Sequence, residues 1–163
     1  MLSLLDKLKI KFRHIISPHN ELVDLAENFQ SVCDIGCGLG VFLSALSGKG
    51  KILHGVEISQ SLVEKANKHM QMNKILDVTV SHFNGSPLTI PSLKESDVCF
   101  LNDVLHHVPE QLQKIFLNEI YNQMKSGSKF ILKDIDAASK LVYFNKIHDL
   151  VLSQEYPHEM PLN

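Results

Sequence analysis

The sequence feature that most constrains the fold is a short apolar segment that ends in a glycine-rich turn. Residues 31–35 form this segment, and Gly36, Gly38 and Gly40 follow it before a second apolar segment at 41–46. Glycines tolerate positive φ angles and let the backbone approach a ligand closely. The pattern predicts a buried strand, a tight turn and a helix, which is the usual ligand-binding position of an open parallel sheet.

The spacing of these glycines discriminates between nucleotide ligands. A dinucleotide fingerprint, Gly-x-Gly-x-x-Gly, would require its third glycine at position 41, where the chain has Val41. The carboxylate of Asp34 would repel a pyrophosphate, whereas it would attract a ligand that carries an ammonium and a sulfonium. An NAD-dependent oxidoreductase therefore stays open as a rival function but is disfavoured by both residues.

The motif from Asp34 to Gly40, Asp-x-Gly-x-Gly-x-Gly, resembles the first motif of the class I S-adenosylmethionine-dependent methyltransferases. The resemblance extends from about residue 29 to about residue 136. It implies S-adenosylmethionine as the cofactor and a three-layer, Rossmann-like α/β fold with parallel strands in the order 3-2-1-4-5. Strands that alternate with helices also predict a parallel sheet with helices on both faces. The implied function is methyl transfer to a small-molecule acceptor, and a catalytically inactive domain that serves as a binding partner is the alternative.

The resemblance places the cofactor at the glycine turn and at the ends of neighbouring strands. Glu57, at the end of the second predicted strand, would accept hydrogen bonds from ribose hydroxyls. Ser86 stands where the family usually has an aspartate that contacts adenine, and Asn102 would lie beside the methyl group. The expected cofactor-binding residues are Asp34, Gly36, Cys37, Gly38, Gly40, Glu57, Ile58, Ser86 and Asn102.

A polar turn follows the fourth predicted strand and is the candidate acceptor site. Here Leu105-His106-His107-Val108 resembles the turn of natural-product O-methyltransferases in which a histidine removes the proton of the acceptor hydroxyl. The resemblance implies His106 as the catalytic base, with Asp103 as a candidate orienting partner, because a neutral imidazole takes up a proton near working pH. The alternative is that His106 only shapes the pocket. Since His106 and His107 are adjacent, we expect their rings to point in different directions.

Length and composition favour a single soluble domain, which we divide into an N-terminal helical cap (1–28) and a cofactor-binding domain (29–163). The 163 residues carry a net charge of −2, which gives no indication of nucleic-acid binding, and no apolar run is long enough to span a membrane. Three cysteines, an odd number, argue against a disulfide framework or a metal site and favour a reducing cytoplasm.

Both ends of the chain carry further helical patterns. Apolar residues at helical spacing, interspersed with four basic residues, predict an amphipathic helix within 2–16. The resemblance implies that this helix covers the cofactor, and weak contact to an anionic membrane is the alternative. A helix is also predicted over 137–152, and the eleven residues after it are too few for the sixth and seventh strands of the family. We therefore expect an exposed edge at the fifth strand, residues 130–132, that pairs with a second copy of the chain.

Overall fold

The computed structural model describes residues 19–134, in which helices and parallel strands alternate. The helices are α1 (His19–Ala26), α2 (Val41–Leu46), α3 (Gln60–Met72) and α4 (Glu110–Gln123). The strands are β1 (Ser31–Ile35), β2 (Ile52–Glu57), β3 (Val78–His82), β4 (Val98–Asn102) and β5 (Lys129–Lys133). All neighbouring strands pair in parallel, in the order β3-β2-β1-β4-β5. The predicted strand order is therefore confirmed.

Two hydrophobic clusters cover opposite faces of the sheet. All five residues of the central strand β1 are buried, as expected for a strand with helices on both sides. Val32 of β1 packs in the cluster that contains the apolar faces of α1, α2 and α3. Cys33 and Ile35 pack in the other cluster, with α4 and the 3-10 turns that precede β4. The three-layer arrangement thus follows from the alternation of side chains along each strand.

The first described helix, α1, lies within the predicted N-terminal helical cap (1–28) and ends at Ala26. Beyond that residue the ammonium of Lys51 donates to the carbonyls of Glu27 (2.8 Å) and Phe29 (2.5 Å), so the chain turns towards β1 instead of continuing the helix. The predicted helices within 2–16 and 137–152 lie outside the described residues. Between residues 19 and 134, no helix is long and apolar enough to cross a membrane.

The carboxyl ends of the strands bring the predicted site residues to one edge of the sheet. In the β4–β5 register Asn102 lies opposite Lys133. Val32, Phe100 and Ile131 all belong to the cluster on the α1–α3 face. Since side chains alternate, Asp34, Asn102 and Lys133, each two residues further on, project from that same face.

Candidate functional site

The glycine turn, residues 36–40, is a preformed and tightly packed loop between β1 and α2. Gly36 and Gly40 have φ angles of +74° and +70°, which side chains with a Cβ rarely adopt. A Cβ at Gly36 would lie 2.4 Å from Cγ2 of Val104, and one at Gly40 would lie 2.6 Å from Cε of Met70. The carbonyl of Val56 in β2 accepts hydrogen bonds from the backbone N–H groups of Gly36 (2.8 Å) and Cys37 (3.1 Å). The turn is therefore held in place by the protein itself.

The side chain of Cys37 fills the space beside Gly55 of β2, which has no side chain of its own. Cys37 is buried, and a Cβ at Gly55 in β2 would lie 2.6 Å from the sulfur of Cys37 and 2.8 Å from Cδ1 of Leu43. The absence of a side chain at Gly55 thus lets the glycine turn and α2 pack directly on the sheet. Cys37 has a packing role at the predicted position.

Glu57 links the glycine turn to the segment that begins α3. Its carboxylate oxygen Oε2 accepts from the backbone N–H of Gly38 at 2.9 Å, and Oε1 accepts from that of Ser59 at 3.0 Å. The residue is only 4% exposed. A carboxylate offers about four lone-pair sites, so these two bonds leave acceptor capacity for a ligand.

Asp34 and Asn102 meet where β1 and β4 end. Nδ2 of Asn102 donates to Oδ1 of Asp34 at 3.3 Å, and Asp34 is 3% exposed. Oδ1 of Asn102 is buried and has no hydrogen-bond partner among the described residues. A buried acceptor without a donor costs about 1–3 kcal/mol. This atom is therefore a specific place for a hydrogen-bond donor on a ligand.

Ser86 and Ile58 lie near the rim of the same edge. The hydroxyl of Ser86 accepts from the backbone N–H of Leu88 at 3.4 Å and caps a single 3-10 turn. Ile58 directly follows Glu57, is half-buried, and packs against the cluster that contains α4. The backbone N–H of Phe83 donates to the carbonyl of Glu57 at 3.2 Å, which brings the end of β3 beside Glu57. Ser86 thus has a local structural role, and its contact with adenine stays a prediction.

The predicted contact by which Asp103 would orient His106 directly is not among the described hydrogen bonds. Both carboxylate oxygens of Asp103 contact the ammonium of Lys133, at 3.3 and 3.2 Å. Asp103 also has a φ angle of +55°, and its backbone N–H donates to the carbonyl of Lys133 at 2.8 Å. The left-handed backbone turns the side chain towards β5 and away from the histidine.

His106 is instead held by Asp134, the residue after β5. Nδ1 of His106 lies 2.7 Å from Oδ1 of Asp134, and the backbone N–H of His106 donates to Oδ2 at 3.2 Å. The side chains are 26% and 14% exposed, respectively. Because a carboxylate only accepts, the hydrogen resides on Nδ1 and the basic lone pair of the neutral ring on Nε2.

His107 lies closer to His106 than the sequence predicts. The two ring centroids are 4.0 Å apart, with an angle of 45° between the ring planes. The expectation that the adjacent rings would point in different directions is therefore wrong: within the 3-10 turn of residues 105–107 the two rings contact each other. We refer to residues 103–108 as the His106 loop.

Three residues of the site were not expected from the sequence. Val104 packs against the glycine turn, Lys133 contacts Asp103, and Asp134 contacts His106. Parallel pairing does place the end of β5 beside the end of β4, which is a usable signal. The exact partners depend on the left-handed backbone at Asp103, which has no signature in the sequence.

Two curated relatives have similar sequences over about two thirds of the chain. The mitochondrial ubiquinone biosynthesis O-methyltransferase of Schizosaccharomyces pombe is 26% identical over 106 residues, which are 65% of this chain and 38% of that protein. The ubiquinone biosynthesis O-methyltransferase of Coxiella burnetii is 31% identical over 105 residues, 64% of this chain and 43% of that protein. The chain thus spans less than half the length of either relative.

Solved structures share the fold at low sequence identity. A protein from Pyrococcus horikoshii OT3 has a TM-score of 0.67 and 25% identity, covering 89% of this chain and 63% of that one. Magnesium protoporphyrin IX methyltransferase from Synechocystis PCC 6803, solved with bound S-adenosylhomocysteine, has a TM-score of 0.67 and 20% identity, covering 92% and 68%.

The family comparison covers most of the sequence. The methyltransferase domain family matches residues 27–161, which include every described strand and the complete candidate site. The chain therefore belongs to the methyltransferase domain family.

Proposed function

We propose that the chain binds S-adenosylmethionine at the carboxyl edge of the sheet and transfers its methyl group to a small molecule. The observation that carries this proposal is the buried Oδ1 of Asn102, which has no hydrogen-bond partner among the described residues. The side chain lies beside the carboxylate of Asp34, next to the glycine turn of a methyltransferase domain. The bound cofactor would supply a methyl group on a positively charged sulfur, which is already an activated leaving group.

The donors and acceptors of the site fit this cofactor. The carboxylate of Asp34 and Oδ1 of Asn102 would together accept from the ammonium of its amino-acid end. Glu57 would accept from the two ribose hydroxyls with the lone pairs that Gly38 and Ser59 do not use. Ile58 and the hydroxyl of Ser86 would face the adenine.

The acceptor is proposed to be a hydroxyl compound that is methylated on oxygen. The name O-methyltransferase of both curated relatives supports this choice, and so does the His106–Asp134 pair. The acceptor hydroxyl would give its proton to Nε2 of His106 while its oxygen bonds to the methyl carbon and the bond between carbon and sulfur breaks. Asp134 would favour this reaction because it fixes the ring and stabilises the imidazolium that forms.

Substitution of His106 tests this assignment. We expect His106→Ala to lower the methyl-transfer rate by about a hundredfold or more, with S-adenosylhomocysteine affinity unchanged. Asp134→Asn should cause a smaller loss, and His107→Ala should have little effect. Equal, mild losses in the His106 and His107 variants would contradict a role for His106 as the base and leave alignment of the acceptor as the contribution of the protein.

Calorimetric titration distinguishes the proposed function from its rivals. We expect S-adenosylmethionine and S-adenosylhomocysteine to bind, and NAD not to bind, because the carboxylate of Asp34 would oppose its pyrophosphate. Binding of NAD alone would contradict the proposal. Binding of S-adenosylhomocysteine with no turnover of any phenolic acceptor would favour the catalytically inactive binding domain.

The edge of the sheet at β5 is proposed to pair with a second copy of the chain. Leu132 is 44% exposed, and Phe130 and Ile131 are only half-buried, so β5 presents apolar side chains at the end of the described five-stranded sheet. These features support a symmetric dimer.

Two further proposals concern location. Cys33, Cys37 and Cys99 are all buried free thiols, which supports a reducing compartment such as the cytoplasm.

The basic stretch at residues 1–16 is proposed to cover the cofactor site instead of binding a membrane. Its deletion should weaken cofactor binding, whereas tight binding of the intact protein to anionic vesicles would contradict this proposal.

A further inference from the structure

The pair of Asp103 and Lys133 differs from the other Lys–Asp pair whose geometry is described. Lys125 and Asp97 approach to 2.6 Å at the amino end of the sheet, with additional bonds from Asp97 to the backbone of β1. Lys133 instead bridges both oxygens of Asp103 at 3.2–3.3 Å, and each side chain keeps about 30% exposure, with values of 31% and 27%. The pair therefore lies at the rim of the candidate site.

Asp103 needs this partner because of its backbone. It has a φ angle of +55°, in the left-handed region, which costs free energy for any residue with a Cβ even though aspartate enters this region more readily than most. Such a conformation persists only where the surroundings impose it. Here the surroundings are the carbonyl of Lys133, which accepts from the Asp103 N–H at 2.8 Å, and its ammonium, which holds the carboxylate.

The left-handed backbone of Asp103 sets the path of the His106 loop. Immediately after Asp103, Val104 packs so closely on the glycine turn that a Cβ at Gly36 would lie 2.4 Å from it. Two residues later, His106 reaches Asp134 through its backbone N–H and its ring. Two consecutive residues of the chain thus hold the segment 103–106 at its two ends: Lys133 contacts Asp103, and Asp134 contacts His106.

We propose that Asp103 and Lys133 are positioning residues for His106: their ion pair maintains the left-handed turn that brings the ring to Asp134. The inference rests on the proposed function for its catalytic meaning. The geometric part of the inference is that loss of the Asp103–Lys133 contact changes the ring tautomer of His106. This change can be measured without cofactor or acceptor.

The test is the ring tautomer of His106 in the full-length, ¹⁵N-labelled protein. Long-range ¹H–¹⁵N correlation spectra at about pH 8.5, about two units above the ordinary histidine pKa, distinguish the Nδ1–H and Nε2–H forms. The His106 signal is assigned by its loss in His106→Gln. We expect the Nδ1–H form in the wild type, and in Lys133→Met a fall of about tenfold in its ratio to the Nε2–H form, as expected for the loss of one hydrogen bond to a charged group.

Three variants separate positioning from a general structural effect. Lys129→Met, at the opposite end of β5, should retain the wild-type tautomer, and Lys133→Arg should largely restore it. In the double variant Lys133→Met, Asp103→Gly, glycine adopts the left-handed turn without an ion pair, so the Nδ1–H form should return. A wild-type tautomer in Lys133→Met, or no recovery in the double variant, would overturn the proposal.

The outcome is independent of the proposed function. If S-adenosylhomocysteine fails to bind while the tautomer responds as described, the proposed function fails and the positioning role stands. If S-adenosylhomocysteine binds with equal affinity to the wild type and Lys133→Met while the tautomer is unchanged, the positioning role alone fails.

Discussion

At the scale of single residues, buried polar groups in this domain fall into two classes. The carboxylate of Glu57 is buried and accepts from two backbone donors, which stabilises the glycine turn. Oδ1 of Asn102 is buried and has no hydrogen-bond partner among the described residues, which costs folding free energy and supports a ligand contact at this position. Groups of the first class contribute to folding, whereas an atom of the second class is a candidate ligand contact.

Cys33 belongs to the structural class. It lies opposite Cys99 in the β1–β4 register, and the hydrogen bond with Cys99, together with burial, raises the pKa of the Cys33 thiol well above 9.0. We therefore expect Cys33 to resist alkylation in the native protein. In the unfolded chain the thiol ionises at a lower pH, so stability that is present below about pH 8.5 should decline as the pH rises further.

Alkylation and unfolding experiments check this prediction. Mass spectrometry after treatment with iodoacetamide should find Cys33 modified only when denaturant is present. Denaturant unfolding at rising pH should show a smaller alkaline loss of stability in Cys33→Ala than in the wild type. Rapid native labelling of Cys33 would contradict the predicted inert thiol.

At the scale of elements, the amino end of the sheet is stabilised by one carboxylate. Asp97 accepts from the backbone N–H groups of Gln30 (3.3 Å) and Ser31 (3.1 Å), and from the ammonium of Lys125 (2.6 Å). It therefore joins the start of β1, the segment before β4 and the turn before β5. These bonds, with that from Lys125 the largest contribution, lower the pKa of Asp97 to about 2.

The lowered pKa predicts a specific acid sensitivity. The charged form of Asp97 stabilises the fold above the unfolded pKa of about 3.9, and this contribution is lost as the pH falls through about 2. Asp97→Asn should be less stable than the wild type at neutral pH but lose less stability between about pH 4 and pH 2. Asp24→Asn, on the exposed side of α1, is the control. Identical acid dependence in the wild type and Asp97→Asn would contradict this role.

At the scale of the whole molecule, the sheet order could be predicted from the sequence, and so could the edge of the sheet at which the candidate residues meet. Three glycines after a buried strand and an acid at the end of the next strand are local patterns, so Asp34 and Glu57 could be placed at that edge without a structure. Their contacts with a cofactor stay a prediction. The partner of His106 could not be identified in this way. It depends on the register of β5 and on the left-handed backbone of Asp103, and both are set by tertiary contacts.

The proposed dimer is also a property of the whole molecule. If two β5 edges pair, replacing the exposed Leu132 by lysine should weaken association, because a charge on an edge strand opposes further pairing. Sedimentation velocity at high micromolar concentration should find a dimer for the wild type and a larger monomer fraction for Leu132→Lys. Leu76→Lys, at a 90% exposed position outside β5, is the control. A monomeric wild type would contradict the proposal.

The measurement that tests the central claim most directly is the affinity of S-adenosylhomocysteine for Asn102→Leu compared with the wild type. Leucine has a similar size but cannot accept a hydrogen bond from the ligand ammonium. Because hydrogen bonds to charged groups contribute about 1.5–3 kcal/mol, calorimetry should find an affinity about tenfold or more lower, in a variant that still unfolds cooperatively. An unchanged affinity in the folded variant would contradict the assignment of this edge of the sheet as the cofactor site.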